Sequence, residues 1–359
     1  MATGKPPPCL HTPEPHPRKH LQKASKASME HLKPHVADIR RAAALLGQGQ
    51  LVALPTETVY GLAASAQNPD AIRRVFSAKG RPADHPLIVH LPDLSHLQHW
   101  VSQIPPQARQ LAAAFWPGPL TMVLPAAPTV SRLITGGQDT VAVRWPAHPL
   151  FQAVLDQLGH AVVAPSANPF GHISPSCASH VLRQMAGRIE AVLDGGDCRF
   201  GVESTIIDLS GPAARILRPG SISAAQLAQV LPLAQAQHGH APRVPGALAS
   251  HYAPRLPCHR FESAERARLP AGIWAEKLAF IGMAGYPAPP QPPACSFLLP
   301  ADAAAYASQL YAVLHQAEAS GCSRILIELP PDTPDWLHIR DRLLRASSPI
   351  GSETANTSA

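Results

Sequence analysis

From residue 36 onward, two hydrophobic rhythms alternate along the chain. In the first, apolar residues recur every three or four positions, as on one face of a helix. Residues 38–46 follow it until Gly47 and Gly49, and residues 69–78 follow it behind Pro69, with Ile72, Val75 and Phe76 on one face. In the second, short apolar and β-branched runs between turn-forming residues predict buried strands at 50–54, 87–91, 121–124, 140–143, 161–164, 191–193, 205–209 and 215–217.

A short helical stretch at 224–230 then gives way to residues 232–257, rich in Pro, Gly, Ala and His and without apolar periodicity, which read as a linker. Beyond it, strands are expected at 278–282, 296–299 and 324–329, with helices at 301–319 and 334–345. The pattern predicts an α/β protein with a first domain over 36–231 and a smaller one over 258–350. Residues 1–35 and 351–359 read as disordered tails.

Composition narrows this picture. The chain has 359 residues, 45% hydrophobic and only 15% charged, which excludes a chain disordered throughout. Its 41 prolines do not suit a long helical bundle. No apolar run reaches the roughly 20 residues of a membrane helix. The net charge of +6 is unevenly spread: residues 1–35 carry Lys5, Arg18, Lys19, Lys23, Lys26 and Lys33 against Glu14 and Glu30, so most of the charge falls in a Pro/His/Lys tail. That tail lacks the apolar core of a secretory signal. Six scattered cysteines contain no C-x-x-C pair, which leaves neither a zinc ribbon nor a redox pair and fits a cytoplasmic location. His238 and His240 have no third ligand in register, so no metal site is expected.

The chemistry-bearing residues cluster just beyond the expected strands, where open α/β sheets place ligands. No phosphate loop, dinucleotide fingerprint or H-E-x-x-H is present. The first strand instead runs into Pro55-Thr-Glu-Thr-Val-Tyr-Gly-Leu62, and the next helix ends in Lys79-Gly-Arg81-Pro82, followed by His85 and His90. Lys79 and Arg81 can point at one polyanion, although a helix C-terminus alone also accommodates both. Trp116-Pro-Gly-Pro-Leu-Thr121, the strand ending in Arg144, Ser166-Ala-Asn168 between prolines, Gly201-Val-Glu-Ser-Thr205 and Arg218-Pro-Gly220 add stiff hydroxyls, an amide and cations. Turn formation by itself would explain the Ser and Asn positions.

Taken in order, these motifs resemble the YrdC-like threonylcarbamoyl-AMP synthase family over residues 36–230, and the second unit resembles the family's long, two-domain form. The resemblance implies a twisted mixed open sheet around a positively charged cavity, with a smaller Rossmann-like domain. It implies a nucleotidyltransferase that condenses L-threonine, bicarbonate and ATP, with Mg²⁺, into threonylcarbamoyl-AMP and pyrophosphate. The product would pass to a tRNA threonylcarbamoyl-transferase complex that makes N6-threonylcarbamoyladenosine. By similarity, Lys79 and Arg81 are the catalytic cations; Arg81, His85, Thr140, Ser166, Ser174, Arg218 and Tyr252 face ATP; Thr58, His90, Arg144, the Ala164 backbone and Ser204 face L-threonine. Pro245-Gly246 and His251-Tyr-Ala-Pro254 resemble the linker segment that crosses the active site, with Leu248 and Ser250 where members often carry Lys and Arg. Two other classes are tested against this reading. An RNA-binding module of the same fold calls for more aromatics than the 5% present, and a carbamoyl-transfer enzyme of hydrogenase maturation calls for zinc-finger cysteine pairs.

Overall fold

A computed structural model describes residues 1, 29–234, 241–247, 250–274 and 277–350. The first unit is a ten-stranded mixed sheet. Its strands are β1 (Glu30–Leu32), β2 (Val52–Leu54), β3 (Gly61–Ser65), β4 (Ile88–His90), β5 (Leu120–Pro125), β6 (Thr140–Arg144), β7 (Val162–Val163), β8 (Ala191–Leu193), β9 (Thr205–Asp208) and β10 (Arg215–Arg218), in the spatial order β1-β8-β2-β3-β7-β4-β6-β5-β9-β10. Alternation along the strands splits the core into two layers. Leu51, Ala53, Leu62, Val89 and Val143 pack with Ile72, Val75 and Phe76 of the Pro69–Lys79 helix. Val52, Leu54, Ala63 and Val162 pack with Leu46 of the Val36–Gly47 helix and with Phe151 and Leu155 of the Pro149–Leu158 helix.

The second unit is an all-parallel sheet of β11 (Cys258–Phe261), β12 (Leu278–Met283), β13 (Cys295–Leu299), β14 (Arg324–Glu328) and β15 (Ser348–Pro349), ordered β13-β12-β14-β11-β15. The helices Ala303–Ala319 and Leu337–Ala346 bury Tyr306, Leu310, Ile339 and Leu343 against it. Mixed first sheet and parallel second sheet together give the expected α/β class.

Several elements differ from the sequence reading. Within the expected tail of residues 1–35, Glu30–Leu32 is instead a strand that pairs in parallel with Ala191–Leu193 and covers the edge of β8. Residues 2–28 and 351–359 lie outside the described residues, as do His238 and His240. Strand β3 was not anticipated, since Gly-Leu-Ala-Ala-Ser lacks the β-branched signal; its residues are nevertheless fully buried. The expected helix at 334–345 begins as a single 3₁₀ turn, Pro334–Trp336, before the α-helix Leu337–Ala346.

Candidate active site

The parallel register of β4 with β6 sets His90 directly opposite Arg144, both at the C-terminal ends of their strands. Beside them the chain leaving β2 turns at Thr56, whose hydroxyl accepts from the amides of Thr58 (3.0 Å) and Val59 (3.1 Å) and so fixes Thr58. Arg144 donates from Nη2 to Glu57 Oε1 (2.6 Å), from Nη1 to Thr58 Oγ1 (3.0 Å) and from Nε to the Gly118 carbonyl (3.2 Å). The Arg144 and Glu57 side chains are 4% and 8% exposed, so this cation is neutralised inside the protein. Burial, with Arg144 alongside, lowers the His90 pKa to about 3, leaving a neutral imidazole. Its Nδ1 faces the Ile88 carbonyl at 3.1 Å; with the proton on that nitrogen, Nε2 is an acceptor.

The opposite side is built differently. Gly80, in the left-handed conformation (φ 64°), ends the Pro69–Lys79 helix and turns Lys79 inward. Lys79 Nζ donates to the carbonyls of Ser166 and Asn168, and burial, then Arg81, pushes its pKa well down. Arg81 donates from Nη2 to the Pro86 carbonyl (2.9 Å) and lies 5.6 Å from the centre of the Phe170 ring, while its buried Nε has no partner. Burial lowers its pKa to about 10. Arg218 holds the Ser204 carbonyl with Nε (3.1 Å) and Nη2 (2.9 Å), Ser204 Oγ with Nη2 (3.0 Å) and the Pro245 carbonyl with Nη1 (3.0 Å). Ser204 Oγ also pairs with Thr121 Oγ1 at 2.8 Å.

Thr58, Arg81, His90, Arg144, Ala164, Ser166, Ser204, Arg218 and Tyr252 line one cavity. Four other anticipated residues do not. Lys79 stands behind Ser166, tying down the Ser-x-Asn turn; Ser174 is fully buried and donates to Glu203 Oε1 (2.6 Å); His85 is half-buried and meets the Phe170 ring edge-on at 5.2 Å. Thr140 begins the strand that Arg144 ends, about 13 Å away at some 3.3 Å per residue. Asn168 is fully buried, with its Nδ2 donating to the carbonyls of Pro169 and His172.

The linker closes this cavity. Pro245, Gly246, His251 and Tyr252 complete its lining, and the central void is about 50 Å³, room for a few waters but not for a nucleotide. Tyr252 is 1% exposed, sits at φ 62° and leaves its hydroxyl without a partner. Gly246 (φ 78°) passes so close that a Cβ there would fall 2.2 Å from that hydroxyl. Of the two positions that depart from the family pattern, Ser250 is exposed and Leu248 lies outside the described residues.

Three further residues belong to the site and were not assigned from sequence. Glu57 and Glu203 stand within the quoted motifs, and a carboxylate flanked by buried positions calls for a cation. Arg342 is on the second unit's Leu337–Ala346 helix, fully buried, and donates from Nε to Glu203 Oε2 at 2.8 Å. Its signal is an arginine on the helix face that also carries Ile339, Leu343 and Ala346.

Comparison with known proteins places this geometry. Residues 44–220 match the Sua5/YciO/YrdC family model, described as Telomere recombination, and residues 222–348 match the model described as the C-terminal domain of threonylcarbamoyl-AMP synthase. The threonylcarbamoyl-AMP synthase of Bacillus subtilis is 37% identical over 86% of this chain and 92% of its own length. That of Pyrococcus abyssi is 46% identical over 60% of this chain and 65% of its own length, and that of Schizosaccharomyces pombe 32% identical over 83% and 85%. A solved structure of Pyrococcus abyssi Sua5 complexed with L-threonine superposes with a TM-score of 0.80 at 35% identity, covering 89% of this chain and 99% of that one. The two family models, matched in order along the chain, and a relative similar over most of both lengths are those of one lineage: the chain belongs to the two-domain Sua5 family of threonylcarbamoyl-AMP synthases.

Proposed function

We propose that the chain is a nucleotidyltransferase that condenses L-threonine, bicarbonate and ATP into threonylcarbamoyl-AMP and pyrophosphate. The observation that carries this reading is the contrast across the cavity: Arg144 is neutralised by Glu57, whereas Arg81 and Arg218 face the same space with only carbonyl, hydroxyl and ring partners. Such cations suit a ligand that brings its own large negative charge.

In this reading the Arg144–Thr58–His90 side holds threonine. The guanidinium and hydroxyl meet the amino acid's polar groups, and the neutral His90 Nε2 accepts from the ammonium or side-chain hydroxyl. The threonine ammonium gives up a proton to solvent, and the free amine adds to the bicarbonate carbon with loss of water, giving a carbamate. A carbamate oxygen then attacks the α-phosphorus, and the bond to the bridging oxygen breaks as pyrophosphate leaves. Arg81 and Arg218 offset charge on the phosphates, and Ser166 and Ser204 supply oriented hydroxyls, so positioning and fixed charge supply the rate enhancement. Lys79 acts one step back, holding the turn that presents Ser166.

Mg²⁺ enters this scheme as part of the ATP substrate. Glu203, which lines the cavity, and Glu57, which pairs with Arg144, are both taken up by arginines, and no cluster of three His, Cys, Asp or Glu suited to a metal occurs among the described residues. Phosphate oxygens would hold the ion, which would offset charge on the leaving pyrophosphate. The product passes to a tRNA threonylcarbamoyl-transferase. An RNA-binding role fits less well, because Arg81 and Arg218 are 7% and 4% exposed and do not present a surface to a polymer. No helix among the described residues is long and apolar enough to cross a membrane.

The test is pyrophosphate release by the purified protein with threonine, bicarbonate, ATP and Mg²⁺, omitting each in turn. Release that requires all of them is expected; release without threonine would overturn the substrate assignment.

A further inference from the structure

Among the side chains that join the two units, one is fully buried and touches three separate parts of the site. Arg342, from the second unit, donates to Glu203 Oε2 (2.8 Å) and from Nη2 to the Pro219 carbonyl (3.0 Å), and its guanidinium lies 5.3 Å from the centre of the Tyr252 ring. Glu203 precedes Ser204, and Pro219 follows Arg218. Arg342 thus holds the Glu203 side chain and the Pro219 backbone, one on each side of the Ser204–Arg218 pair, and a Cβ on the next residue, Gly220, would fall 2.3 Å from the Thr205 amide, so these two segments run in contact.

Charge gives this grip a purpose. Glu203 lines the cavity beside Arg218, yet its oxygens are occupied from behind: Oε1 by Ser174 (2.6 Å), Oε2 by Tyr311 (2.9 Å) and Arg342. A buried carboxylate without its own cation would draw on another, and after Arg342 the cation that acts on Glu203 is Arg218, beside it in the cavity lining. We propose that Arg342 is a positioning residue for ATP, holding Glu203 away from Arg218 so that the Arg218 guanidinium stays available to phosphate. The second unit then contributes to nucleotide binding without touching the nucleotide.

This inference rests on the synthase reading, and its experiment separates the two. The wild-type, Arg342→Met, Arg342→Lys and Arg342→Met/Glu203→Gln proteins are compared for threonine-dependent pyrophosphate release, and for ATP and threonine binding by calorimetry. Failure of the wild type to turn over with threonine would remove the synthase reading itself. With an active wild type, Arg342→Met is expected to weaken ATP binding about tenfold and threonine binding less than about twofold. Removing the competing carboxylate in the double variant is expected to recover most of the ATP affinity, and Arg342→Lys to lie between. ATP affinity unchanged in a folded Arg342→Met, equal losses for both substrates, or no recovery in the double variant would overturn the proposal. If Arg342→Met does not fold, Arg342→Lys with and without Glu203→Gln carries the same comparison.

Discussion

The two sides of the cavity hold arginine in opposite ways. On one, Arg144 is paired with Glu57, bonded to a threonine hydroxyl and a carbonyl, and is electrostatically complete before any ligand arrives. On the other, Arg81 and Arg218 are as deeply buried but hold only carbonyls and a hydroxyl, and burial lowers the pKa of both. A neutralised cation recognises shape and hydrogen bonds; an uncompensated one waits for an anion. In the proposed reading, the cost of keeping the second kind buried is recovered on binding an anion such as triphosphate.

The sharpest way to break this contrast is to delete one arginine from each side. Arg144→Ala strands the Glu57 carboxylate and is expected to destabilise the protein by about 3–5 kcal/mol, read as a lower denaturant midpoint. Restoring neutrality with Glu57→Gln in the same chain is expected to recover much of that loss. Arg218→Ala strands no carboxylate on its own side and is expected to cost only about 1 kcal/mol of stability, while lowering ATP-dependent turnover about a hundredfold. Similar stability losses for the two substitutions would remove the distinction.

A milder perturbation sharpens the linker's part. Gly246→Ala drives a methyl group into the Tyr252 hydroxyl and into a backbone position with positive φ. It is expected to cost about 1–2 kcal/mol and to lift the linker from the cavity, raising proteolysis near residue 246 before the sheet unfolds.

The smallest effect concerns protons. Burial lowers the pKa of His90, His251 and His315 to about 3 and of His180 to about 4, against about 6.5 in an unfolded chain. Between those values the unfolded chain binds the extra protons, so stability is full above pH 6.5 and falls as pH drops toward 4. His180 and His315 stack across the two units at 3.9 Å, so acid is expected to part the units early. Replacing His90 by Gln should reduce the slope of stability against pH in this window by about one proton. An unaltered slope would mean that His90 is not titrating there.

Much of this was legible in sequence because it rests on local chemistry. Apolar β-branched runs such as Thr-Val-Ala-Val-Arg144 and Ala-Val-Leu193 marked strands within a residue or two, and the polar groups at their ends marked the cavity. What escaped depends on distant partners. The polar Glu-His-Leu32 becomes a strand only because β8 offers an open edge. Small residues suffice in β3 because Ala64 and Ser65 pair with the centrally placed β7. Arg342 looks like a surface helix residue until Glu203, far earlier in the chain, is brought to it. Thr140 illustrates the converse: a strand's two ends share a motif but not a neighbourhood.

The linker's attachment to the second unit bears on how the molecule is made. The amide of His251, next to Tyr252, donates to the carbonyl of Arg345 (3.1 Å), at the end of the same helix that carries Arg342. That helix is synthesised after every other residue facing the cavity. During translation the strand-end cations are therefore assembled first, into a mouth that stands open, and the hinge pin of its cover is the last part delivered. A growing chain builds the cavity before it can shut it.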